Sequence, residues 1–305
     1  MSAERAAGSN QYRAKAKLVP PPADLAVQVS PGKTPGYQRH QQAADSSSST
    51  AKLTTLEDSP EWWVRRAVAA NPASPPPLLR RLARDTEFLV RQAVATNPSC
   101  PAETLEQLSH DDYLYVWEAV AANPASPAQT LVRISLHHSP KYPDWIVRLR
   151  KALAGNPACP SKALDIISQD RIVAAIAELV ARHPASSPTA LTRCAHHKSV
   201  SVRAAAASNP SCPPAVMSGL NEAGPDEVRE GLASNPASPP YLLEQLSGSP
   251  DPTVVLLVAR NRSSPLSLLG NLMRHPNHAI AQAAANNQST PAATRAMWQL
   301  AASQP

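Results

Sequence analysis

Val64-Arg65-Arg66-Ala67-Val68-Ala69-Ala70-Asn71-Pro72-Ala73-Ser74-Pro75 is the stretch that decides how this chain folds. It recurs nine times in worn form. With the Asn of its Asn-Pro pair as a marker, the copies stand at Asn71, Asn97, Asn123, Asn156, His183 (a replacement), Asn209, Asn235, Asn261 and Asn287. The steps between markers are 26, 26, 33, 27, 26, 26, 26 and 26 residues. A fixed period of this size marks a stacked repeat, in which each coil buries its apolar face only against its neighbours.

Each coil contains two helical pieces. Seven residues before the marker every copy has a branched aliphatic residue, from Val64 to Ile280, and three before it most have Val or Leu, as at Val68 and Leu153. Positions three and four apart share one helical face, so these form a buried stripe. Two before the marker stands Ala in all nine copies, from Ala69 to Ala285, as expected where coils approach closely. The marker ends this helix, because Pro disfavours helical geometry in the residue before it. Stacked coil on coil, the Asn side chains are expected to form a ladder that satisfies buried backbone groups.

The second piece opens on Ser74-Pro75, Cys100-Pro101, Ser126-Pro127 and their equivalents. Ser suits an N-cap and Pro the first helical position. Two apolar anchors three apart follow, such as Leu79 and Leu82. This helix is short, about two turns, with room for 3₁₀ character. The last copy replaces its anchors by Arg295 and Trp298, which suits a terminal coil with one face in water.

Residues 1–55 lack this period. Pro20-Pro21-Pro22, Ser46 to Ser49 and scattered charges predict a disordered, basic N-terminal tail, with a docking segment around Lys15–Val19 as the sharper alternative. Of a net charge of +6, the tail holds seven Lys/Arg against three Asp/Glu, and residues 56–305 hold the other 22 and 20. The near-neutral body weakens a nucleic-acid reading drawn from the basic pI alone. No apolar run approaches the roughly 20 residues that span a bilayer. Four cysteines without paired spacing suit a reducing cytoplasm.

The pattern V-R-x-A-V-A-x-N-P-x-x-P-x-x-L-L-x-x-L, clearest at Val64–Leu82, Val90–Leu108 and Val228–Leu246, resembles the bacterial leucine-rich repeat variant (LRV) family. The resemblance covers residues 56–305. It implies an all-α, right-handed helical solenoid of about nine 26-residue repeats, HEAT/LRV-like, pairing an α-helix with a short α or 3₁₀ helix and closing on a C-terminal capping repeat. Some relatives carry a cysteine-rich iron–sulfur module ahead of the repeats. Residues 1–55 contain no cysteine, so that cofactor does not carry over, and no cofactor is expected. The resemblance brings a binding role and no reaction.

The residues agree with that. Cys100, Cys159 and Cys212 replace the Ser in coils two, four and six, so about 16–20 Å separates neighbouring thiols, too far for a disulfide or shared metal. Cys194 takes an apolar anchor position. His110, His137, His138, His196, His197 and His275 fall in turns, without the Cys or carboxylate pattern of a metal site. No Gly-rich phosphate loop or nucleophile–base motif is present, and no enzyme is expected.

The positions that the repeat does not fix point to a surface. Six before the marker stand Arg65, Arg91, Trp117, Arg150, Arg203 and Arg229, with Ala or Val in the other copies. Eight of the twelve aromatics lie in residues 56–160. Arg together with Trp and Tyr is the composition of interface hot spots. Trp63, Arg65, Arg66, Arg91, Tyr115, Trp117, Trp145, Arg148 and Arg150 are therefore the expected partner-binding residues. Seven extra residues between His137 and Trp145 add a loop, and insertions in solenoids often mark the binding face. The expected function is a non-catalytic scaffold for a protein or peptide on repeats 1–4. The alternative is a nucleic-acid-binding protein whose Arg row tracks phosphates while its aromatics stack on bases.

Overall fold

The structure is a computed structural model that describes residues 35–137, 143–169 and 173–302. Among them are twenty helices. The chain forms two compact bodies, Met1–Ile167 and Ser168–Pro305, each a helical solenoid stack of two-helix coils.

In the first body the leading helices are α1 (Pro35–Ala44), α3 (Trp62–Ala70), α5 (Phe88–Thr96), α7 (Leu114–Ala122) and α9 (Pro143–Gly155). Between them run the shorter α2 (Thr50–Leu56), α4 (Pro76–Leu82), α6 (Ala102–Leu108) and α8 (Ala128–Ser135), and α10 (Ser161–Gln169) follows α9. In the second body the leading helices are α11 (Ala174–Arg182), α13 (Val200–Ser208), α15 (Asp226–Ser234), α17 (Pro252–Arg260) and α19 (His278–Ala285). Their partners are α12 (Pro188–Ala195), α14 (Pro214–Ala223), α16 (Pro240–Leu246), α18 (Leu266–Leu272) and α20 (Ala292–Ala302), of which α14 and α20 are longer than the leading helices they follow. The short helices are α-helical, as brief as seven residues. Leading helices pack on the leading helices of adjacent coils, and Val64, Val68, Ala69, Leu79 and Leu82 are buried as their spacing predicts.

The Asn ladder is present in both bodies. Asn97 Nδ2 donates to Ala69 O at 2.7 Å and Asn71 O at 2.9 Å, while its Oδ1 accepts Ser99 N–H at 2.8 Å. Asn123, Asn156, Asn209, Asn235, Asn261 and Asn287 make the same three bonds. The marker is buried each time, and its extended backbone turns the chain without glycine. Among the described residues none has positive φ, which accounts for abundant proline beside scarce glycine.

Two expectations are corrected. The first is the tail boundary. Residues 1–34, including Lys15–Val19, lie outside the described residues, but residues 35–56 fold as one more coil. Asp45 stands 26 residues before Asn71, Ala43 is buried beneath the ladder, and Asn71 Nδ2 donates to Ala43 O and Asp45 O at 2.8 Å each. Leu53 and Leu56 are the two buried anchors of the short helix. Asp45 accepts Ser47 N–H as the Asn markers accept theirs, and a side chain that only accepts suffices for that bond.

The second correction concerns the Ser before Pro. It does not cap the short helix. Pro75, Pro101 and Pro127 are themselves the N-cap residues. The hydroxyl turns back to the end of the leading helix: Ser74 Oγ donates to Val68 O at 2.5 Å, Ser126 to Val120 O at 2.6 Å and Ser238 to Leu232 O at 2.6 Å. It adds a second bond to a carbonyl that already accepts the marker's own N–H, as Asn71 N–H donates to Val68 O at 3.2 Å. In the coil of His183, whose turn from marker to Pro is one residue longer, Ser186 holds Val180 O and Ser187 caps Ala190 N–H.

Of the expected insertion loop, residues 138–142 lie outside the described residues. Pro143 and Asp144 open α9, which has 13 residues where α3, α5 and α7 have nine.

Candidate partner-binding surface

The arginines six before the marker belong to the turn that joins successive coils. Arg65 Nε and Nη2 hold Asp85 at 2.6 and 2.9 Å, and its Nη1 donates to Ser59 O and Pro60 O at 2.8 and 3.2 Å. Arg91 repeats this one coil on, holding Asp111 at 2.6 and 3.0 Å and donating to Asp85 O and Thr86 O at 2.7 and 3.1 Å. Both guanidinium groups are largely covered, with side chains 17% and 13% exposed. Trp117 stands at the same position in the third coil, and its Nε1–H donates to Asp111 O at 2.8 Å, in place of an Arg. The expected exposed Arg row is thus corrected at these positions. The sequence signal was there, as Asp85 and Asp111 stand 26 residues apart, each twelve before a marker.

Burial of Asp85 opposes its ionisation, but the hydrogen bonds from Arg65 and the Glu87 N–H, with the charges of Arg65 and Arg91, outweigh it and hold the carboxyl below its ordinary pKa. Histidines and Ser249 take the same turn position elsewhere. His197 Nδ1 accepts Ser199 N–H at 3.1 Å and His275 Nδ1 accepts Asn277 N–H at 3.0 Å, as Asp111 accepts Tyr113 N–H at 2.9 Å. These histidines close turns, and no group of three metal-ligating side chains occurs among the described residues.

Trp145 is also corrected. It is 2% exposed, with Nε1 3.3 Å from Leu114 O, and its ring meets Trp117 at 6.2 Å and His137 at 5.5 Å between centroids. The longer helix α9 brings this indole in from the site of the insertion, where it fills space beside α7. It is core.

What remains accessible lies eight and five residues before the marker. Trp63, Tyr115 and Arg148 occupy the first of these positions in coils 1, 3 and 4, with the buried Leu89 between them in coil 2. The Arg148 guanidinium lies over the Tyr115 ring at 5.3 Å, with Nη2 3.0 Å from Glu118 Oε1 and 2.9 Å from Oε2, and its side chain is 54% exposed. Phe88 stacks on Tyr113 at 4.5 Å with 6° between planes, and Tyr115 lies 6.4 Å from Phe88. Trp63 meets Trp62 edge to face at 6.2 Å. Arg66 is half-buried beside His40 of the preceding coil, whose pKa is lowered by burial and then by the Arg66 charge. Arg150 is half-buried.

The thiols are all free and buried. Burial pushes Cys100 and Cys159 up to about 12 and Cys194 and Cys212 up to about 11, so none is a thiolate at neutral pH. No helix among the described residues is long and apolar enough to cross a membrane.

Residues 62–87 and 88–112 match the family described as leucine rich repeat variant. A solved structure described as a leucine-rich repeat variant with a novel repetitive protein structural motif is similar at 22% identity and a TM-score of 0.42, over 78% of this chain and 81% of that one. No curated protein matches the chain. The two matched segments are the coils of Asn71 and Asn97, so residues 62–112 are leucine rich repeat variant coils, and their register is repeated on either side.

Proposed function

We propose that this protein is a non-catalytic scaffold that binds a protein or peptide on the leading helices of coils 1–4. The observation that carries this reading is the row of Trp63, Tyr115 and Arg148 at one helical position, with Arg148 laid over Tyr115. Large half-exposed aromatics beside an accessible Arg are the side chains that dominate binding energy at protein interfaces. Stacked coils present such positions in line. Arg66 and Arg150 flank the row, while Arg65, Arg91, Trp117 and Trp145 support it from the turns and core. The nucleic-acid alternative is weakened because Arg65 and Arg91 direct their N–H groups to protein acceptors instead of phosphates. Four buried free thiols suit the reducing cytoplasm in which we place the protein.

The test is capture from cell extract on the immobilised full chain, compared with Tyr115→Ala/Arg148→Ala. We expect at least one captured protein to be lost while the far-ultraviolet circular dichroism stays the same. An unchanged set of captured proteins would place binding elsewhere.

A further inference from the structure

We propose that the second body carries a groove for an extended acidic peptide, built on its last three leading helices. It concerns coils 7–9 and does not rest on the surface proposed for coils 1–4. A cavity of about 640 Å³ opens along α15, α17 and α19, and its polar lining includes Arg260, Arg262, Gln282, Asn286 and Gln288.

These residues stand where the repeat changes. One residue after the marker, the first seven coils have Pro, from Pro72 to Pro236, whereas the last two have Arg262 and Gln288. The marker Asn261 keeps its ladder bonds, so the change adds polar side chains without altering the stack. Arg260 and Arg262 flank it on the accessible side, and neither guanidinium has an ion pair or hydrogen bond among the described residues. Arg65 and Arg91, by contrast, are saturated by Asp85 and Asp111.

No carboxylate lines the groove. Residues 252–305 contain Arg260, Arg262, Arg274 and Arg295 and no Asp or Glu. The near-neutral balance of residues 56–305 therefore hides a basic end. Unpaired guanidinium forks are matched by carboxylates, which accept two N–H bonds in one plane. The carboxamides of Gln282, Asn286 and Gln288 each offer a donor and an acceptor, the complement of a peptide unit. No aromatic ring lines the groove to stack a base, which favours peptide over single-stranded nucleic acid. Three packed helices cover about 16–20 Å, the length of five or six extended residues at about 3.3 Å each.

The experiment is fluorescence anisotropy on the full chain with a fluorescein-labelled octapeptide alternating Glu and Ala. An octapeptide alternating Gln and Ala and a labelled oligothymidylate serve as comparisons. Saturable binding of the Glu peptide is expected, weakened by salt, with the Gln peptide about ten-fold weaker or worse. Arg260→Glu/Arg262→Glu, checked for folding by its melting curve, is expected to lose about ten-fold, and the milder Arg260→Gln/Arg262→Gln to lose part of that. Arg80→Glu/Arg84→Glu, an equal charge change in the first body, is expected to stay within about two-fold. Three results would each overturn the proposal: no saturable binding, equal losses in both charge-reversed pairs, or tighter binding of the oligothymidylate through the same two arginines.

Discussion

Arg91 and Asp111 face each other across twenty residues of chain, with Nε 2.6 Å from Oδ2 and Nη2 3.0 Å from Oδ1. The remaining Nη1 reaches the backbone of Asp85, the residue that Arg65 holds in the same way. The Asp85 carboxylate is thus gripped by the Arg of its own coil and its carbonyl by the Arg of the next, whereas the Asp111 carbonyl is held by Trp117.

Removing one clamp is expected to cost stability. Arg91→Ala strips Asp111 of two charge-assisted bonds and Asp85 O of a third, and about 2 kcal/mol is expected from bonds of this kind. Arg148→Ala, whose side chain is 54% exposed, is expected to stay within about 0.5 kcal/mol. Thermal melts compare them directly, and equal shifts would show that the clamp carries no special weight.

Asp85 gives the clamp a pH dependence. Its folded pKa is depressed, so its contribution is fully present above the unfolded value of about 3.9 and is lost as pH falls through the folded one. The melting temperature of wild type is expected to exceed that of Asp85→Asn near pH 6 and to converge on it below about pH 4. A gap that stays constant with pH would locate the effect in packing rather than ionisation.

The ladder makes a sharper demand on residue type. Asn123 donates to Ala95 O and Asn97 O and accepts from Ala125 N–H. Asn123→Ala is expected to cost about 1–3 kcal/mol, and Asn123→Asp more, since it turns a carboxylate toward two carbonyls. Asp45→Asn, at the exposed end of the described stack, is expected to be nearly neutral. Denaturant titration of the three variants checks the order, and an Asn123→Asp variant as stable as wild type would exclude the ladder as a stabilising element.

The cysteines are expected to be silent in the native state. With pKa values pushed up to about 11 or 12 by burial, all four should react with a thiol reagent at pH 8 only after unfolding. One thiol counted in buffer alone would place that cysteine in an accessible pocket.

The fold is legible because its determinants repeat. Val64, Ala69 and Asn71 each have counterparts at a fixed step, and a buried position admits few residue types. The coil ahead of coil 1 escapes the pattern because Asp45 replaces Asn and no Asn-Pro marks it, although Ala43, Ser48, Leu53 and Leu56 keep the register. Ser74 misleads because Ser-Pro ahead of a helix fits an N-cap in one dimension, whereas the hydroxyl reaches six residues back. The surface is least legible. An Arg at a repeated position signals exposure only when its acid is unknown, and the partner of Arg65 lies twenty residues downstream. Trp145 is hidden by helix α9, whose start the insertion displaces.

The ladder has one more property, its polarity. Every Asn Nδ2 reaches upstream, to carbonyls 26 and 28 residues earlier in the regular coils, and none reaches downstream. At the far end Arg295 donates to Ala285 O and Asn287 O at 3.2 and 3.3 Å, the two carbonyls that the Asn of a following coil would have used. For the ladder bonds, a coil leaving the ribosome therefore meets its acceptors already made. A coil placed after that of Asn287 would ask Arg295 to give way to its Asn, whereas a coil placed ahead of residues 35–56 would meet Asp45, which has no side-chain N–H to donate to it.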